Sequence, residues 1–355
     1  MNLIPNTFIS FPLKKHLLTT LKFLVFLVLG ILLIWLAVKD LTAEDKIQIT
    51  KSLSEANYSW IGLAMAVGIF SHISRAMRWK MLFVPLGLFP KLSNTFYAVM
   101  VGYLGNLAFP RLGEVLRCGI LKRYEKIPLP QSLGTVIAER VMDVVFLVIL
   151  FIISLWLEFE RMHSYITENL LNPLKLKLHS LAGNKVMLMV FVCLIISAGV
   201  VLFMFRKKIL QNPIAQKVQG MFISFLDGIR SAVKVKNPLL FLFHSVFIWL
   251  MYLLTVYLCV FAFAETKSLS FSDCLVILTF GSLGVIATPG GIGAYQWIVL
   301  QIMTFWGFTT AMGVAFGWIV WLAQTVVVLF GGLISLGLLA IYNRDSSKPE
   351  ISNTE

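Results

Sequence analysis

The seventy residues between Asp273 and Arg344 contain no aspartate, glutamate, lysine or arginine. A single transmembrane helix needs about 20 consecutive apolar residues, so this stretch is long enough for several membrane-embedded elements. The whole chain is 58% apolar and has a mean hydropathy of +0.86, values that are not typical of a soluble domain. The sequence therefore predicts an all-α polytopic membrane protein.

The net charge of +13 does not indicate a nucleic-acid-binding protein in this context. The basic residues lie in short loops between apolar segments, where they report orientation and attract anionic lipid headgroups. No nucleic-acid-binding motif is present, and the four cysteines and five histidines have no metal-ligand spacing. We expect no nucleic acid, no metal and no cofactor. The oligomeric state stays open.

About six full transmembrane helices and two re-entrant helical hairpins are predicted. The second span covers about Trp60 to His72, and the basic residues that follow, Arg75, Arg78 and Lys80, are assigned to its cytoplasmic end. Basic residues flank Leu92 to Lys122 on both sides, so this segment has to enter and return on one side. At about 1.5 Å per residue its return limb is too short to cross the bilayer. This predicts a hairpin from the cytoplasm, broken at Pro110.

A second hairpin, entering from outside, is predicted within Phe271 to Trp306 and broken at Pro289. Both breaks share the pattern A-x-P followed by a glycine, and the two prolines are 179 residues apart. Each half has an odd number of crossings, so the halves form an inverted repeat, a pattern typical of a substrate site near the bilayer midplane. We expect one transmembrane domain over 1–343, with repeats at about 17–157 and 185–342, and a disordered polar tail over 344–355.

Two local features complete the predicted topology. Lys39 to Asn57 is interpreted as a mixed-charge loop, and an interfacial amphipathic helix is predicted within Arg206 to Asn237. The distribution of lysine and arginine favours an orientation with both termini in the cytoplasm.

Charged residues around the first break form a candidate substrate site, because charges at membrane depth need partners or a polar cavity. They comprise three cations and three anions: Arg111, Glu114, Arg117, Glu139, Arg140 and Asp143. One interpretation is a neutral ion-pair network that fixes the hairpin to the next span. The other is that an arginine leaves its carboxylate partner when a lipid phosphate arrives, since its fork binds two oxygens at once. The carboxylates would then attract a cationic headgroup or take a proton.

The second break contributes the remaining candidates. Pro289, Gly290, Gly291 and Gly293 open a helix whose free N–H groups favour an anion, although a simple tight turn explains them equally well. The pattern of a nucleotide-binding loop is incomplete. Asn106 and Gln296, one beside each break, are added to the predicted substrate-binding set.

Three motifs in order resemble one known family. They are G-N-L-A-F-P-R-L-G-E-V-x-R from Gly105, E-R-x-x-D from Glu139 and T-P-G-G-I-G-A-Y-Q from Thr288. Together they resemble the flippase-like membrane region of the lysylphosphatidylglycerol synthetase family. The resemblance implies movement of lipids, including aminoacylated phosphatidylglycerol, between leaflets, and archaeal members are associated with dolichol-linked glycosylation. Many members have glutamate where this chain has Gln296. The soluble aminoacyl-transferase domain has no room here, so synthetase activity is not expected.

The sequence thus predicts a non-enzymatic lipid translocator of the bacterial cytoplasmic membrane. Its substrate would be an anionic or aminoacylated phospholipid or a polyprenyl-phosphate-linked lipid. Expected partners are membrane lipids with anionic headgroups and, in one interpretation, a separate lipid-modifying enzyme. The alternatives are a membrane glycosyl- or phosphotransferase acting on polyprenyl phosphates, and a scaffold for a lipid synthetase.

Overall fold

A computed structural model describes residues 28–39, 41–109, 111–159 and 235–344 of the chain. The predicted break at Pro110, most of the loop after Leu157, the span over Lys185 to Phe205, the amphipathic helix up to residue 234 and nearly all of the polar tail lie outside these ranges. The described residues form helices and no strands, which confirms the all-α fold class.

Ten α-helices lie within the described ranges, joined in places by short 3₁₀ turns. They are α1 (Val28–Val38), α2 (Ala43–Glu55), α3 (Tyr58–Met81), α4 (Leu92–Ala108), α5 (Leu112–Glu125), α6 (Leu129–Leu157), α7 (Pro238–Val260), α8 (Phe271–Ala287), α9 (Ala294–Phe305) and α10 (Thr310–Tyr342). The 3₁₀ turns are Val84–Leu86, Glu265–Ser268 and Pro289–Gly291.

Three stretches of the described chain are long and apolar enough to cross a membrane. They are Tyr58–Leu86, Pro238–Val260 and Thr310–Tyr342. Helices α1 and α8 are apolar but shorter. The count of six full spans and the re-entry of the two hairpins therefore stay predictions.

A constant offset in the sequence relates α3–α6 to α7–α10. The bounds of α4 and α8 differ by 179 residues at both ends, and those of α3 and α7 by 180 and 179. The match at the breaks is longer than A-x-P, because G-Y-L-G-N-L-A-F-P from Gly102 and G-S-L-G-V-I-A-T-P from Gly281 share five residues in register. The repeat is thus present in both sequence and helix bounds, while its inverted orientation stays a prediction.

The two hairpins pack through small residues at equivalent positions. A Cβ atom added to Gly105 would collide with Leu116, and one added to Gly284 would collide with Tyr295. Both members of these pairs are separated by the same 179 residues. Small residues let helix backbones approach closely inside a membrane protein, so the glycines allow each hairpin to close.

Two predictions about the first third of the chain are wrong. The predicted loop over Lys39 to Asn57 contains α2, because Thr42 and Asp45 form a capping box that satisfies the first N–H groups of a helix. The second span continues to Met81, so Arg75 and Arg78 do not form a cytoplasmic end. They are 3% and 0% exposed, inside the protein.

Candidate functional site

A buried group of charges joins α3 to α6. Arg75 Nη1 lies 2.8 Å from Glu139 Oε1 and 2.6 Å from Asp143 Oδ2, and Arg78 Nη2 lies 2.5 Å from Asp143 Oδ1. The two arginines are three residues apart on α3 and the two carboxylates four apart on α6, spacings that put each pair on one helix face. The facing surfaces of the two helices therefore meet through paired charges.

Arg117 on α5 adds a third cation to this group. Its Nη1 forms an ion pair with Glu139 Oε2 at 2.8 Å, and its guanidinium lies 4.6 Å from the ring centre of Trp79. We call Arg75, Arg78, Arg117, Glu139 and Asp143 the buried cluster. It contains three cations and two anions, so it carries one more positive than negative charge.

The second repeat also contacts the buried cluster through α7. Arg75 Nη2 donates to Tyr252 Oη at 3.3 Å, and Arg78 Nη1 donates to Ser245 Oγ at 3.2 Å. Charges removed from water need such additional hydrogen bonds to offset their desolvation. The cluster thereby fixes α3, α5, α6 and α7 relative to one another.

A cavity of about 1150 Å³ lies beside the buried cluster, and we call it the central cavity. Helices α3–α8 and α10 contribute to it, and so do the turns of both hairpins. Its polar and charged side chains include His72, Arg75, Tyr103, Asn106, Arg111, Glu114, Arg140, Asp143, Tyr252, Thr288 and Gln324. The two halves of the repeat thus share one polar chamber.

The pair Arg140 and Glu114 is the accessible ion pair of the central cavity. Arg140 Nη2 lies 3.0 Å from Glu114 Oε1, and the two side chains are 41% and 22% exposed. An ion pair in this setting is weak, with a net value of about 0–1 kcal/mol. Arg140 is therefore the cavity cation that an incoming anion displaces at the lowest cost.

Arg111 differs from the other cavity arginines because it has no ion pair within the described ranges. Its side chain is exposed, and its backbone is left-handed, with φ 65° and ψ 2°. This conformation costs an L-residue other than glycine roughly 1–2 kcal/mol. The hairpin turn therefore presents an unpaired guanidinium to the cavity.

The same cavity has an apolar rim. Val115 on α5, Ile137 and Val144 on α6 and Ile286 on α8 line it, and Ile286 and Val115 are 69% and 58% exposed. Exposed apolar side chains of this kind are unfavourable in water and suit contact with hydrocarbon. The cavity thus combines a charged interior with apolar edges.

The second turn binds its own amide groups. Gly291 N–H donates to the Thr288 carbonyl at 3.0 Å, and Gly293 N–H donates to Gln296 Oε1 at 2.8 Å. A Cβ on Gly293 would collide with the backbone of Gly30 in α1. These contacts favour the tight-turn interpretation over an anion site built from free N–H groups.

The central cavity brings together seven of the twelve predicted site residues. The seven that line it are Asn106, Arg111, Glu114, Arg140, Asp143, Pro289 and Gly290. Arg117 and Glu139 lie in the buried cluster, and Gly291, Gly293 and Gln296 do not line the cavity. Substrate binding by these residues stays a prediction.

Sequence reasoning missed Arg75 and Arg78. Their position at the end of an apolar run was interpreted as a cytoplasmic basic flank. The signal that identifies them is spacing, since two arginines three residues apart match two carboxylates four residues apart on another helix.

Comparison with known proteins agrees with the motif resemblance. The family model described as the lysylphosphatidylglycerol synthase TM region matches residues 21–332. A UPF0104 membrane protein of Methanothermobacter thermautotrophicus is 24% identical over 292 residues, which are 76% of this chain and 82% of that protein.

Two further relatives match over shorter stretches. A UPF0104 membrane protein of Methanocaldococcus jannaschii is 31% identical over 125 residues, which are 34% of this chain and 36% of that protein. Glycosyltransferase AglD of Haloferax volcanii is 29% identical over 119 residues, which are 33% of this chain and 19% of AglD. No solved structure matches the chain.

Proposed function

The chain is an integral membrane protein of the lysylphosphatidylglycerol synthase TM-region family, and from this premise we propose that it translocates an anionic lipid between leaflets. The observation that carries the proposal is the central cavity. A lipid has a charged head and apolar tails, and the cavity has a charged interior and an apolar rim. The headgroup would lie among the charges while the tails stay in contact with the bilayer.

Arg140 and Arg111 are the residues that would receive the headgroup. Arg140 can exchange the Glu114 carboxylate for a lipid phosphate, because both are anions that a guanidinium binds through charge-assisted hydrogen bonds. Arg111 needs no such exchange within the described ranges. A carrier has to release its cargo, and a displaceable partner such as Glu114 gives Arg140 an alternative when the lipid leaves.

The buried cluster would have a different role from the cavity arginines. Arg78 and Glu139 are each 0% exposed, and the cluster holds helices of both repeats. Removing one partner from such a group is strongly destabilising, which suits a fixed scaffold better than a displaceable site. Both interpretations of the intramembrane charges are therefore retained, each for a different subset.

An enzymatic role is the second candidate, since one relative carries a glycosyltransferase name. That match covers 19% of the relative, and no group of three or more metal-ligating side chains occurs in the part of the chain that the structure describes. Turnover of a nucleotide sugar by the purified protein would move the assignment to a glycosyltransferase. Capture of a defined synthetase without lipid movement would move it to a scaffold.

The proposal includes a location and an orientation, namely a bacterial cytoplasmic membrane with both termini in the cytoplasm. Its first test is native mass spectrometry of protein purified gently from its own membrane. We expect a co-purifying anionic lipid that is lost in Arg140→Gln and kept in Arg123→Gln, a matched change at an exposed arginine of α5 outside the cavity. Protein with no selectively bound lipid would count against translocation.

A further inference from the structure

We propose that the headgroup held by the central cavity is a phosphate monoester, and that a cationic aminoacylated headgroup is disfavoured. This inference rests on the proposed function and narrows its substrate class. Three observations support it: the balance of charge around the cavity, the engagement of every nearby carboxylate and the backbone conformation of Arg111.

The charge balance of the site is positive in two layers. Facing the cavity are three arginines, Arg75, Arg111 and Arg140, and two carboxylates, Glu114 and Asp143. Behind them, within the buried cluster, two further arginines face one further carboxylate: Arg78, Arg117 and Glu139. Each layer of the described site therefore has one excess positive charge. Residues 160–234, outside the described ranges, also contain more basic than acidic residues.

A phosphate monoester matches this excess of two. It carries about −1.5 to −2 charges at pH 7, whereas a phosphate diester carries a single negative charge. Its three terminal oxygens also offer enough acceptors for two guanidinium groups, each of which presents a planar fork of donors. A diester headgroup such as phosphatidylglycerol has two terminal oxygens and neutralises half of the excess.

An ammonium headgroup finds no free carboxylate in the described site. Glu139 contacts Arg75 and Arg117, Asp143 contacts Arg75 and Arg78, and Glu114 contacts Arg140. A lysyl group would have to displace an arginine from one of these pairs and leave another buried cation uncompensated. Leaving such a charge unpaired is strongly unfavourable.

The conformation of Arg111 points to the same ligand. The equivalent residue of the second turn is Gly290, with φ 62° against 65° for Arg111. Glycine adopts this conformation without the Cβ penalty, so the turn itself does not favour an arginine. Strained backbone positions cluster at functional sites, and here the strain sets an unpaired guanidinium at the cavity.

The binding test uses the full-length protein in nanodiscs of phosphatidylcholine. The probes are phosphatidic acid, phosphatidylglycerol, lysylphosphatidylglycerol and inorganic phosphate. We expect phosphatidic acid to bind on the order of tenfold more tightly than phosphatidylglycerol, the gain of one charged hydrogen bond, and lysylphosphatidylglycerol to bind most weakly.

Each other outcome has a separate meaning. Tighter binding of lysylphosphatidylglycerol than of phosphatidic acid would overturn the inference and leave lipid translocation standing. Inorganic phosphate binding as tightly as phosphatidic acid would assign the site to a soluble phosphate and overturn the lipid part. No binding of any probe would count against both the inference and the proposed function.

Variants separate a binding role of Arg111 from a structural one. Arg111→Gly relieves the backbone strain, so we expect unchanged or higher thermal stability together with about a tenfold loss of phosphatidic acid affinity. Lys126→Gly is the matched control, because Lys126 is also left-handed, with φ 57°, and does not line the cavity. It should gain stability and keep its affinity. Affinity of Arg111→Gly equal to wild type would overturn the proposal.

Discussion

Arg111 and Gly290 adopt the same backbone conformation in the two hairpin turns, with φ/ψ of 65°/2° and 62°/11°. Each lies in a turn closed by one hydrogen bond, from Leu112 N–H to the Phe109 carbonyl at 3.2 Å and from Gly291 N–H to the Thr288 carbonyl at 3.0 Å. The two turns therefore have matching geometry and different chemistry. The first presents a charge to the central cavity, and the second presents a bare backbone.

The second turn depends on the conformational freedom of Gly290. Gly290→Ala should destabilise the protein by roughly 1–2 kcal/mol, because an L-residue pays this cost in the left-handed region. The added Cβ would also lie 2.9 Å from Leu107 Cδ2. The measurement is thermal unfolding in detergent. Gly337→Ala on α10 is the control, since nothing lies within 4 Å of its added Cβ, and an equal loss there would refute the prediction.

Closure of the first hairpin depends on Gly113. A Cβ at this position would overlap the Gly102 carbonyl, so Gly113→Ala should separate α4 from α5 and cost several kcal/mol, in the range of ~1–3 for an overpacked site. Gly119→Ala on the same helix has open space and should be neutral or slightly stabilising. Yield of monodisperse protein and its melting temperature compare the two. Similar behaviour of both variants would contradict the close packing.

The buried cluster and the accessible pair should respond differently to loss of one charge. Glu139→Gln leaves Arg75 and Arg117 without an ionic partner on that carboxylate, and breaking a buried pair in this way costs about 3–5 kcal/mol. Glu114→Gln affects a partly exposed pair and should cost about 0–1 kcal/mol. Unfolding in denaturant measures both. A Glu139 variant as stable as the Glu114 variant would show that the cluster contributes little to the fold.

Part of the site could be predicted from sequence because buried charge is rare in an apolar chain. Glu139, Arg140 and Asp143 stand out in a helix that is otherwise apolar toward its C-terminal end, and Arg111 and Glu114 stand beside a proline. Their partners could not be identified, since pairing depends on which helices are neighbours. The sequence grouped Arg111 with the carboxylates, whereas the structure pairs those carboxylates with Arg75, Arg78 and Arg117.

The extent of the repeat was also underestimated for a physical reason. The comparison centred on prolines and the glycines that follow them, which mark the turns. The packing glycines before each break, Gly102 and Gly105 in one hairpin and Gly281 and Gly284 in the other, carry the stronger signal. They match because both hairpins need small residues where two backbones approach.

The indole of Trp321 should stabilise the second turn. Its Nε1–H donates to the Gly290 carbonyl at 2.8 Å. Trp321→Phe removes this donor and should cost about 1 kcal/mol, the typical net value of such a bond. Trp318→Phe on the same helix removes an indole that packs edge-on against Trp321 and serves as the control for lost ring area. Equal losses in melting temperature would mean that ring packing, and not the hydrogen bond, is responsible.

Lipid movement itself is the most direct measurement. The purified chain is reconstituted in vesicles with fluorescent anionic lipid, and the fraction accessible to a membrane-impermeant quencher is followed over time. We predict faster exchange between leaflets than in protein-free vesicles, and exchange near the protein-free rate for folded Arg111→Ala/Arg140→Ala protein. Wild-type protein that moves no lipid, or a folded double variant that moves every lipid tested at the wild-type rate, would contradict a cavity in which these arginines carry the headgroup.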